Sequence, residues 1–122
     1  FDKNPEKKWL VHSYKHTKNY KEFYNLHHPK IVSDMIFCNR IGCPSCLTIH
    51  NSVKERFDEK LRWFMDSELY SRILKLHGQP IFLHTKEETK PLMINLHHVD
   101  QVTNTKIDGN LVNKEKEYIR YL

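Results

Sequence analysis

The sequence predicts a single α/β unit, reading as α+β when the chain is taken by itself, and three observations predict it. Short β-rich stretches of strand length recur along the chain. Two longer segments place apolar residues at three-to-four spacing, the period of a helix with one buried face. The 122 residues contain no internal repeat, low-complexity tract or interior linker, which suits one modest core.

Taken in order, Trp9 to Tyr14 (WLVHSY) is β-rich and partly alternating, which predicts a strand. His16 to Pro29 is polar and aromatic, and His27-His28-Pro29 closes it as an extended or turn segment, because a residue before proline avoids the helical region. Val32 to Arg40 is compatible with a short helix or an irregular loop. Gly42-Cys43-Pro44-Ser45 is a turn, and Cys46 to His50 alternates as a strand. The clearest helix starts near Asp66. Asp66 or Ser67 can cap it, Glu68 lies in the first turn where the dipole favours negative charge, and Leu69, Ile73 and Leu76 repeat at helical spacing. Gly78 supplies the left-handed position after its last turn and Pro80 prevents continuation. Pro80 to His84 and Pro91 to Leu96 then read as strands. After a polar loop through Gly109, Leu111 to Leu122 closes the chain as a helix with Leu111, Tyr118 and Leu122 on one side.

Composition excludes several functions. The chain has three glycines, Gly42, Gly78 and Gly109, where an ordinary frequency of roughly 7% gives about eight or nine. Glycines so far apart build neither a dinucleotide fingerprint nor a Walker loop. The length also excludes most complete kinase, nucleotide-sugar and barrel enzymes. The formal charge of +5 accompanies a lack of alanine and a three-to-one excess of Lys over Arg, the mark of an A+T-rich genome. The lysines are scattered and interleaved with glutamate, as at Lys54-Glu55 and Glu59-Lys60, so no basic stripe points to nucleic acid. No segment approaches the roughly 18 to 20 apolar residues of a membrane helix, and no signal-peptide core follows Phe1. Three cysteines, an odd number, do not make a disulfide framework. A soluble, cytoplasmic protein in a reducing compartment is expected.

Cys38, Cys43, Cys46 and His50 form a C-x4-C-x2-C-x3-H array of ligand types that zinc takes. Cys46 and His50 fall, however, in an alternating strand that needs no metal, and free cysteine is among the most buried residue types. No zinc is expected. His97 and His98 follow a predicted strand, where a loop can present an imidazole to a metal or phosphate. Asp66 follows the apolar run Trp63-Phe64-Met65 and opens a helix, so it is held rigidly in partly dry surroundings. The helix dipole favours its ionised form and burial its neutral form; an ionised carboxylate beside a bound hydroxyl can act as a general base. The plain alternative is a helix cap. Asp66 and Glu68 make a poor chelate, since helix positions i and i+2 diverge by about 200°.

The order of motifs carries more than any one of them. Asn39-Arg40-Ile41-Gly42-Cys43-Pro44-Ser45, Phe57-Asp58-Glu59-Lys60-Leu61, Trp63-Phe64-Met65-Asp66-Ser67-Glu68-Leu69-Tyr70, Arg72-Ile73-Leu74-Lys75 and His98-Val99-Asp100-Gln101-Val102-Thr103-Asn104 resemble the C-terminal half of family 2 glycosyltransferases of the GT-A fold. The resemblance runs from about Asn39 to Asn104 and more faintly back to Trp9. It implies a mixed sheet with flanking helices over residues 1–122, the C-terminal part of a transferase domain whose nucleotide-binding half and DxD metal motif would precede Trp9.

Carried over residue by residue, the resemblance makes Asp66 the base that takes the acceptor hydroxyl's proton, with Met65 standing where the family usually has a further acid. His98, or His97 if the register slips by one, would meet the metal or diphosphate. Gly42, Pro44 and Ser45 match the turn beside the sugar and acceptor site, where a small rigid backbone allows close approach. Phe57 and Trp63 would be wall or core. The implied reaction is an inverting transfer from a nucleotide-sugar to a hydroxyl of a glycan or other acceptor, with a divalent cation, manganese or magnesium, in the complete enzyme. The chain alone is expected to be inactive for want of a donor site, and the apolar surface left by a missing half implies self-association as a homodimer. Two rivals from other classes are a noncatalytic carbohydrate-binding or assembly module and a small basic nucleic-acid-binding protein.

Overall fold

A computed structural model describes residues 1–84, 93–96 and 109–122. Two strands that follow each other with only Ser13 between them, β1 (Trp9–His12) and β2 (Tyr14–Thr17), organise everything else. Each is the central strand of a three-stranded mixed sheet. β1 pairs antiparallel with β4 (Leu47–Ile49) and parallel with β5 (Ile81–Leu83), in the register Val11 to Leu47 and Val11 to Phe82. β2 pairs antiparallel with β3 (Tyr24–His27) and parallel with β6 (Met93–Leu96), with a register shift between Tyr14 and His16 on the β3 side. The fold is therefore mixed α and β, with two small sheets and two helices.

β1, β4, β5 and β6 form within the stretches read as strands, whereas β2 runs on through Thr17 and β3 forms at Tyr24–His27, in a stretch read as polar and as extended or turn. Trp9 and Val11 are fully buried, and the helix α1 (Met65–His77) contributes Leu69, Tyr70 and Ile73 to the same cluster. Burying side chains of this size stabilises by about 1.5–3 kcal/mol each. α1 ends as the sequence requires. Gly78 adopts φ 77°, its N–H donates to the Leu74 carbonyl at 2.9 Å, and its own carbonyl accepts from the Trp9 indole N–H at 2.7 Å. The last helical turn is thus tied to the first strand. A second cluster joins Leu61 and Phe64 to Ile119 of α2 (Gly109–Arg120).

Four expectations need correction. The cap of α1 is Phe64, without a side-chain bond, and Asp66 lies inside the first turn. Ser67 is also no cap: its hydroxyl donates to the Ile36 carbonyl at 2.7 Å. The strand expected over Trp9 to Tyr14 is divided at Ser13, whose N–H bonds to the Leu83 carbonyl at 3.2 Å. On α2 the buried residues are Glu115 and Ile119, while Leu122 is 67% exposed beyond the helix end. In Val32 to Arg40, left open between helix and loop, residues 33–37 are turns and no helix forms. No helix among the described residues is long and apolar enough to cross a membrane.

Candidate functional site

The turn after Asn39 is built by its own side chain. Asn39 Oδ1 accepts from the Ile41 and Gly42 N–H groups, both at 3.0 Å, and its amide donates to the Gly42 carbonyl at 3.1 Å. Gly42 is required here on two grounds. Its φ is 120°, and a Cβ would stand 2.7 Å from Tyr14 Cε1 and 2.8 Å from the Tyr14 hydroxyl oxygen. The same Gly42 carbonyl accepts from the Tyr70 hydroxyl at 2.9 Å. Tyr70 lies one helical turn after Asp66, so this bond locks the turn to the helix start that carries Asp66.

Asp66 lines a cavity of about 570 Å3 together with Asn39, Arg62, Trp63 and Phe64. Its Oδ1 is buried and has no hydrogen-bond partner among the described residues. Burial holds its carboxyl above the ordinary range, so desolvation outweighs the favourable field at the helix N-terminus. Burial also pushes the Tyr70 phenol upward, with Asp66 adding to the effect. Tyr14 is pushed up to about 12 by burial and then by the neighbouring Cys43 and Cys46 thiols. A half-buried carboxyl on the wall of a cavity can hold a proton or accept one from a bound hydroxyl.

The wall of this cavity is fixed from far along the chain. The Glu115 carboxylate, 3% exposed, accepts from the backbone N–H groups of Arg62, of Trp63 at 2.9 Å and of Phe64 at 3.3 Å. It supplies the acceptor that the cap residue lacks, at the end of α1 where a negative charge is favoured. The signal for it was a single carboxylate inside the apolar stripe of the last helix, between Leu111 and Ile119. Glu68, four residues before Arg72, is taken up in a bidentate ion pair, Arg72 Nε to Oε2 at 2.6 Å and Nη2 to Oε1 at 2.9 Å. It is therefore committed to α1 packing rather than to the cavity.

Of the residues expected at the site, Asp66 and Gly42 are brought together through Tyr70. Pro44 and Ser45 form a single 3-10 turn with Cys46; Pro44 is half-buried, Ser45 is exposed, and neither lines the cavity. Trp63 is cavity wall, 38% exposed. Phe57 lines a separate space of about 540 Å3 beside Glu68 and Arg72. His97 and His98 lie outside the described residues. Sequence reasoning gave no role to Asn39 or Tyr70, although both lie within the motifs it singled out.

The histidines expected to meet a divalent cation, His97 and His98, are not among the described residues. Among them no three His, Cys, Asp or Glu side chains gather where they could hold a metal ion. Cys38, Cys43, Cys46 and His50 form no such group either; His50 Nδ1 is engaged with the Ser52 hydroxyl at 2.8 Å. No protein-family model, curated protein or solved structure matches the chain.

Proposed function

We propose that this chain is the acceptor-side half of a GT-A type glycosyltransferase, with Asp66 as the general base. The observation that carries the reading is the half-buried Asp66 carboxyl on the wall of the cavity, in the first turn of α1. An acceptor hydroxyl entering there donates a hydrogen bond to the Asp66 carboxylate. As the acceptor oxygen attacks the anomeric carbon of a nucleotide-sugar, its proton passes to Asp66 and the nucleoside diphosphate departs from the opposite face. One displacement inverts the anomeric centre. Asn39, whose side chain builds the turn at Gly42, lines the cavity with Asp66, and Trp63 offers an aromatic wall to a sugar ring. A manganese or magnesium ion belongs to the reading as the group that offsets charge on the diphosphate; no step above is derived through it.

The 38% exposure of Trp63 on the cavity wall also favours a second reading, a noncatalytic carbohydrate-binding module in which the cavity holds a glycan without a donor. The experiment that separates them measures transfer from a panel of nucleotide-sugars in a protein joining this chain to its nucleotide-binding half. Asp66→Asn is expected to lower kcat by about 100-fold or more, the usual contribution of a general base, while Trp63 fluorescence still reports glycan binding. Activity surviving within a few-fold would overturn the base. Turnover of a nucleotide-sugar by residues 1–122 alone would overturn the half-fold reading.

A further inference from the structure

Cys43-Pro44-Ser45-Cys46 is a C-x-x-C segment that the transferase reading leaves without a use. The three cysteines of the chain are free thiols in this structure. Cys43 is the residue that enters the 3-10 turn Pro44–Cys46, and the Cys46 N–H closes that turn on the Cys43 carbonyl at 3.2 Å. A closed turn keeps its end Cα atoms within about 7 Å, which overlaps the roughly 4.4–6.8 Å that a disulfide spans. Both thiols lie near the Tyr14 phenol and raise it. Pro44 holds the backbone between them in its turn conformation, reducing the freedom lost on closing the ring.

We propose that Cys43 and Cys46 form a reversible dithiol–disulfide pair that takes small disulfides of the glutathione type as its substrate. The two cysteines have different parts. Cys43 is half-buried and open to attack from solvent, its thiol in a 3.9 Å contact with the Met93 sulfur. Cys46 is fully buried and donates to the Cys43 carbonyl at 3.0 Å; burial pushes its thiol up to about 12. Cys43 therefore reacts first. Its thiolate attacks one sulfur of oxidised glutathione, the S–S bond breaks, and one glutathione thiolate leaves. Cys46 then gives its proton to water, attacks Cys43 Sγ and expels the second glutathione thiolate. Two protein thiols are oxidised, one glutathione disulfide is reduced, and both released thiolates take up the protons given off. The new bond closes one residue from the Gly42 carbonyl that Asn39 and Tyr70 share.

The pairing stands apart from the transferase reading, because its test measures thiols and not transfer. The chain is equilibrated in mixtures of reduced and oxidised glutathione, quenched in acid, alkylated under denaturing conditions, and its intact mass and peptides are determined. In oxidised mixtures the expected product has lost two hydrogens, carries a Cys43–Cys46 bridge and is alkylated only at Cys38; dithiothreitol restores alkylation of all three. Cys46→Ser is expected to stop at a glutathione adduct on Cys43, and Cys43→Ser to take up no glutathione at position 46. Alkylation of all three cysteines in oxidised mixtures would overturn the proposal. A bridge that includes Cys38, or a wild-type chain that accumulates the Cys43 adduct without closing the ring, would overturn it too.

Discussion

Replacing Glu115 with alanine tests how the cavity wall is held. The substitution removes the acceptor for three backbone N–H groups, those of Arg62, Trp63 and Phe64. Phe64 is buried, so water does not replace its partner, and an orphaned buried donor costs about 1–3 kcal/mol. Arg62 and Trp63 are exposed residues; water takes over there, and each loses only the net worth of its bond, about 0.5–1.5 kcal/mol. The sum centres on about 4 kcal/mol, with a fall in Tm of roughly 15 °C for a chain of this size. Glu115→Gln keeps one carbonyl oxygen but loses the charge and turns an amide N–H toward other donors, so it should fall between wild type and alanine. Urea unfolding followed by circular dichroism gives the energies. Native-state hydrogen exchange places them, with protection lost at the Trp63 and Phe64 amides before it is lost at the Ile73 amide in the middle of α1. An alanine variant within about 0.5 kcal/mol of wild type, a change within the range of ordinary surface substitutions, would refute the assignment of Glu115 as the acceptor for this turn.

Two further outcomes follow from the site. Burial raises the Asp66 carboxyl above its unfolded value, so its stabilising contribution is complete only below the unfolded carboxylate pKa of about 3.9 and is lost as pH rises through the native value. Asp66→Asn is therefore expected to be the more stable protein at pH 7, by up to about 1 kcal/mol once its partial exposure is allowed for, and to match wild type near pH 3; parallel stability curves across that range would contradict this. Gly42→Ala places a methyl group 2.7 Å from the Tyr14 ring at a φ of 120°, and a loss of about 2–3 kcal/mol is expected in urea unfolding, whereas an unchanged midpoint would show that the turn can relax.

Much of the fold was legible because its signals are local. Gly78 followed by Pro80 marks a helix end wherever it occurs, and the strand runs at Trp9, Cys46, Pro80 and Pro91 needed only alternation. The start of α1 was placed to within a residue, but its cap was misassigned for a physical reason. Asp66 has the chemistry of a cap, but the backbone donors before the helix are satisfied by Glu115, 51 residues beyond Phe64, and no local pattern shows that. The division of the first strand at Ser13 is equally non-local, since it reflects which partners lie on either side. At the site, Gly42 and Asp66 were visible as motif residues, whereas the Tyr70 hydroxyl that joins them required the helix and the turn to be placed against each other. Pro44 and Ser45 gained no contact with the cavity; the turn that holds them makes Cys43 and Cys46 neighbours instead.

The two central strands also set the order in which the chain can fold. Of the strand pairings that hold residues 9–17, only that of β2 with β3, Tyr14 to His27 and His16 to Tyr24, is close in sequence. Val11 must wait for Leu47 on one side and Phe82 on the other, and Tyr14 for Met93. During synthesis the apolar strand around Trp9 emerges long before its parallel partners, and each later pairing has a long loop to close before any contact is gained. Such a chain folds slowly and exposes a sticky edge while it does so. Its yield in the cell should depend on chaperones that cover residues 9–17 until the strand at residues 81–83 has left the ribosome.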